Sequence, residues 1–142
     1  MQVARAESRH PFEIYILSLA TMIGPPTAFG EPTAGSMEAA LPFWAIPVWG
    51  IGLSSGAILA LVGILLLNRK PGTGLLLEQL GLAWVACGTL FYASIVMLTV
   101  GQAGIAPASF ILGFGIACVI RCIQIQRSIN RAVKAVKKAE EL

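Results

Sequence analysis

From Leu41 to Leu67 the chain runs for 27 residues without a formal charge. A helix or strand at a water boundary keeps one polar face, and this run has none. About 20 apolar residues, rising 1.5 Å each, cross the hydrocarbon core of a bilayer as a helix. Three more apolar stretches accompany it, so that candidate spans fall at about 12–29, 41–67, 75–100 and 108–120. None alternates apolar and polar residues over its length, which argues against a β-barrel.

Composition identifies the solvent of these helices. Of 142 residues, 56% are hydrophobic and only 12% charged, and the mean hydropathy is +0.79. A soluble domain has about a quarter of its residues charged, and a core this small cannot hide so much apolar surface. The fold class expected is all-α: an integral membrane bundle of four transmembrane helices with a C-terminal amphipathic basic helix. Its organisation divides into an N-terminal tail (1–11), a transmembrane domain (12–120) and a basic helix (121–142).

The first span is the shortest. Ile14 to Ile23 is apolar, but Gly24, Pro25 and Pro26 follow. Paired prolines remove backbone donors and disfavour helix in the residue before them, so the helix is expected to end or kink here. A helix from Glu7 to Gly24 would still reach about 27 Å. Arg5 and Arg9, the short apolar core and Ala28-Phe29-Gly30 also imitate a secretory signal peptide. An uncleaved first span is the expectation; a removed signal would leave the later orientation unchanged.

Charge sets the orientation. With four spans, Arg5 and Arg9, the Arg69-Lys70 turn, and Arg121, Arg127, Arg131, Lys134, Lys137 and Lys138 all fall on one side. The other side receives Glu31, Glu38 and the uncharged loop Gly101 to Pro107. The positive-inside rule places the basic side, with both termini, in the cytoplasm. Trp44 and Trp49, with Phe43, cluster at the outer end of the second span, where amphipathic rings favour the interface.

In lipid, helices associate through close backbone approach rather than apolar burial. Gly52 and Gly56 form a GxxxG step continued by Ala60 and Gly63. The third span offers Ala83, Cys87 and Gly88; the fourth offers Gly113 and Ala117, with Gly115 between them. Packing within the chain is the expected use of such steps, and a homo-oligomer seam is the alternative.

Ionisable groups inside membranes are costly and therefore functional candidates. Glu78 lies about one turn into the third span, beside Gln79, and its position predicts an interfacial carboxylate paired with Arg69 or Lys70. Glu13 occupies a similar place in the first span. His10 has no ligand cluster around it, and Cys118 and Cys122 lack further ligands, so neither a metal nor another cofactor is expected. The chain carries no motif of an enzyme.

Beyond Arg121, Ile125, Ile129, Val133 and Val136 form one helical stripe and Arg127, Arg131, Lys134 and Lys138 another. With Lys137, these cations suit an anionic inner leaflet at about 1 kcal/mol each. The expected partners are the lipid bilayer, further copies of the chain, and a cytoplasmic protein docking on this helix. Without interleaved aromatics the helix is not a nucleic-acid platform.

Four segments carry a resemblance: HPFEIYILSLATMIG (His10 to Gly24), EPTAGSMEAALPFW (Glu31 to Trp44), RKPGTGLLLEQLGL (Arg69 to Leu82) and the basic end. Together they resemble small multi-span membrane proteins of actinobacterial tailed phages, some of them holin-like. The resemblance implies a subunit that oligomerises in the host cytoplasmic membrane and permeabilises it for a wall-degrading enzyme. A non-lytic role, as superinfection-exclusion factor, lysis regulator or accessory subunit, is the alternative. A transporter or channel would need a polar path, and the spans offer only scattered residues such as Ser54, Ser55, Thr89, Ser94 and Thr99.

Overall fold

The computed structural model describes residues 11–29, 38, 41–67 and 69–140. The N-terminal tail before residue 11, loop residues 30–37 with Glu31, and the side chains of Val136 and Lys138 lie outside the described residues. Helices α1 (Pro11–Ala28), α2 (Ala45–Leu66), α3 (Pro71–Val100) and α4 (Ile105–Glu140) follow one another, with a 3-10 turn, Gly101–Gly104, before α4. Among the described residues every regular element is helical. Each helix packs on its neighbour in sequence, α1 on α2, α2 on α3 and α3 on α4.

Three of these helices are long and apolar enough to cross a membrane: Ala45–Leu66, Pro71–Val100 and the part of α4 from Ile105 to Ala135. The apolar part of α1, Glu13–Ile23, is shorter. Large apolar side chains point away from the bundle, among them Leu65, Leu98 and Phe110. Such an exterior is compatible with a membrane location.

Helix α1 does not stop at Gly24 but continues through Pro25 and Pro26 to Ala28. Proline's fixed φ suits a helix; its cost is the missing donor. Pro25 leaves the carbonyl of Thr21 without its helical N–H, and the Ser54 hydroxyl of α2 donates to that oxygen at 3.3 Å. The backbone N–H of Phe29 then closes on Pro25 O at 3.1 Å. The neighbouring helix thus supplies a donor that the sequence of α1 withholds.

Helix α2 begins at Ala45, after a turn in which its N–H donates to Pro42 O at 2.8 Å. Pro47 sits in the first turn, where a missing donor leaves nothing unsatisfied. At the far end, the N–H groups of Arg69 and Lys70 both donate to Leu66 O. Lys70 leaves the helical region (φ −138°) and Pro71 starts α3, four residues before the expected Leu75. Pro71 is preorganised for that first position. Gly101, at φ +62°, ends α3 in a conformation that only glycine adopts without strain.

The fourth helix differs from the expected bounds at its start and continues through the basic segment. It begins at Ile105 rather than Ala108, with Pro107 in its first turn, and runs unbroken past residues 120 and 121 to Glu140. The apolar segment and the basic segment are one rod. No residue near the junction terminates a helix, since neither Gly nor Pro occurs between Ile116 and Glu140.

The core is built on contact between backbones. A Cβ added at Gly81 of α3 would collide with the Ala60 amide and the Gly56 carbonyl of α2. One added at Gly63 would strike the Glu78 backbone and, at 2.8 Å, Gly74 O. Gly56, Ala60 and Gly63 therefore interlock with Gly74, Glu78 and Gly81. Leu17, Leu53, Ile64, Leu82, Val85 and Ile125 fill the space around this seam.

Candidate functional site

The close approach of α2 and α3 has a polar consequence. Because Gly63 lacks a side chain, the backbone of Glu78 lies directly against α2, and the Glu78 carboxyl group is carried into the middle of the bundle. It is 0% exposed. Its partner comes from α4: Arg121 Nη2 and Nε donate to Glu78 Oε1 at 3.0 and 3.1 Å. Arg121 Nε also lies 3.4 Å from Glu13 Oε1 of α1. One guanidinium joins three helices.

This arrangement replaces the expected pairing of Glu78 with Arg69 or Lys70, both of which are exposed. The reason is positional. The turn between α2 and α3 directs its cations outward, whereas Arg121 occupies the inward face of α4 together with buried Cys118 and Ile125. An ion pair out of water survives only with good geometry and further hydrogen bonds, and removing one partner strands the other. The cluster holds the ends of α1 and α4 together, although these helices pack little elsewhere.

Beside the cluster, Gln79 Nε2 donates to Gln126 Oε1 at 3.0 Å, and Gln126 Nε2 donates to Asn130 Oδ1 at 3.3 Å. The Cys122 thiol donates to the backbone oxygen of Gln79 at 3.6 Å. These amides close one end of an apolar cleft of about 390 Å³ between α3 and α4. Its walls include Ala83, Cys87 and Leu90 of α3 and Val119, Cys122 and Ile123 of α4.

The helix-packing residues read from sequence divide into two sets. Gly56, Ala60 and Gly63 lie in the seam, and a Cβ added at Gly52 would come within 3.3 Å of the Trp84 indole nitrogen. Gly113 and Ala117 do not pack within the chain: Gly113 has nothing within 4 Å of a built Cβ, and Ala117 is exposed. Gly115 takes that role instead, against Thr89 and Leu90. On α3, Ala83 and Cys87 are exposed, and the packing positions are Gly74 and Gly81.

Of the residues expected at the interface, Trp44 is exposed just before α2, whereas Trp49 ties two helices together. Its indole N–H donates to Gly88 O at 3.0 Å, and its ring centroid lies 5.3 Å from that of Tyr92. Arg127, Arg131, Lys134 and Lys137 are exposed along α4. Among the described residues, no group of His, Cys, Asp or Glu could hold a metal ion, and the described cysteines are free.

Sequence reading missed Arg121 as a site residue by counting it with the tail. The signal was partly present: Glu13 and Glu78 each lie about one turn into an expected span, and Arg121 directly follows the fourth, at the same end of the bundle. Comparison of the chain with protein-family models, curated proteins and solved structures yields no match.

Proposed function

We propose that this chain crosses the bilayer four times with both ends in the cytoplasm and acts as a holin-like protein, self-associating in the cytoplasmic membrane to permeabilise it. The observation that carries self-association is the outward face of α4. Gly113 and Ala117 form a small-residue step with open space before it, flanked by exposed Phe110 and Ile120. In lipid, steps of this kind let backbones approach. The equivalent step of α2 is already consumed inside the monomer, so α4 is the helix left to meet a second copy.

Four crossings require α1 to insert although its apolar core is short. The Glu13–Arg121 contact and the Ser54 hydrogen bond support insertion, because both bind α1 to helices that span. Inducible expression in bacteria with a potential-sensitive dye tests the function. Membrane potential should collapse and growth should stop; normal potential at high expression contradicts this function.

A second reading is favoured by the continuity of α4, which holds Arg127, Arg131, Lys134 and Lys137 exposed beyond the bundle. In this reading the chain is a non-lytic membrane protein that engages a cytoplasmic partner. Truncation after Gln126 separates the two: a permeabilising protein keeps its effect on potential, whereas a docking protein loses its partner.

A further inference from the structure

The α3–α4 cleft lies on a face of α4 that the proposed self-association does not use. Ile123 and Gln126 border it, and the same stripe continues through Asn130, Lys134 and Lys137, at steps of three, four, four and three residues. At 3.6 residues per turn these five positions stay within roughly 80° of arc. Read along α4, the stripe passes from apolar walls to carboxamides and then to ammonium groups. This is also the order of a phospholipid read from acyl chain through ester carbonyls to phosphate.

The level along the bundle agrees. From Ile105 to Gln126, and from Val100 back to Gln79, each helix covers about 32 Å, close to the thickness of the hydrocarbon core. The Gln79–Gln126 pair therefore stands at the inner boundary of the core, with the apolar cleft on its hydrocarbon side. Side chains on a helix lean toward its N-terminus. The lysines of the next turns accordingly lean back toward the level where phosphates lie.

We infer that the α3–α4 cleft is a binding site for an anionic phospholipid, one acyl chain lying between the helices and the phosphate meeting Lys134 and Lys137. Charge complementarity selects this occupant over a second copy of the chain, whose own basic rod would bring like charge to the same stripe. The inference rests on the membrane-spanning reading given above and is independent of whether the protein permeabilises.

Native mass spectrometry of the full chain released from mild detergent tests it, with phosphatidylglycerol or phosphatidylcholine of matched chains added. One phosphatidylglycerol should remain bound under activation that strips phosphatidylcholine. The paired substitution Lys134→Gln and Lys137→Gln should weaken phosphatidylglycerol about tenfold and leave phosphatidylcholine unchanged. Cys87→Phe, at an exposed cleft position, should weaken both lipids; circular dichroism checks that each variant keeps its helices. Equal retention of the two lipids, insensitivity to the lysine pair, or a dimer that excludes lipid from the cleft would overturn the site. Flotation with vesicles separates the two failures: a protein that floats but shows no preference loses this site alone, whereas one that stays in buffer loses the membrane reading as well.

Discussion

Helices α2 and α4 each carry a step of small residues, yet the two steps have different fates. Gly56, Ala60 and Gly63 of α2 face Gly74 and Gly81 of α3, so that backbone meets backbone over several turns. Gly113 and Ala117 of α4 face open space, and α4 is held instead by side chains: Arg121 to Glu78, Gln126 to Gln79, and Cys122 to the Gln79 carbonyl. A small-residue step is half of an interface. What it does depends on whether the facing helix supplies the other half, and α3 supplies it only to α2. One region is therefore closed by backbone contact, while the other is attached through side chains and keeps a free face.

Substitutions can break this contrast in order of effect. Gly81→Leu should be the most damaging, because its side chain has only the α2 backbone to enter; a loss of at least about 3 kcal/mol of stability is expected, read by thermal unfolding in detergent. Glu78→Ala leaves the Arg121 guanidinium with its longer contact to Glu13 and should cost about 2 kcal/mol. The triple replacement of Glu13, Glu78 and Arg121 by Leu should cost less than that single change, since it leaves no charge of the cluster behind. Trp49→Phe removes the hydrogen bond to Gly88 and should cost about 1 kcal/mol. Gly113→Leu should leave monomer stability within about 0.5 kcal/mol while abolishing self-association in crosslinking. Equal damage from Gly81→Leu and Gly113→Leu would erase the distinction between the two helices.

What could be read from sequence follows from distance along the chain. The long apolar helices and the Gly52–Gly63 stripe are local patterns, visible in windows shorter than 30 residues. Gly74 and Gly81 were not singled out, because which face of α3 meets α2 is set by the turn at residues 67–70, and one residue more or less would rotate that face by about 100°. The partner of Glu78 lies 43 residues away on α4, beyond any local pattern, and the nearer cations Arg69 and Lys70 were the obvious but incorrect choice. The prolines of α1 are a related case: an end or a kink was expected from lost donors, the helix does not end, and a donor on another helix, Ser54, offsets part of the loss.

The account depends on hydrocarbon surrounding these helices, with the cationic ends gathered on one face of the membrane. Single cysteines at positions 69, 102 and 134, in a background with Cys87, Cys118 and Cys122 replaced by Ala, report this directly when intact cells are treated with an impermeant maleimide. Position 102 should label from outside, and positions 69 and 134 only after the membrane is opened. Labelling that puts positions 69 and 134 on opposite faces, or a chain that remains monodisperse in buffer without detergent, would contradict it.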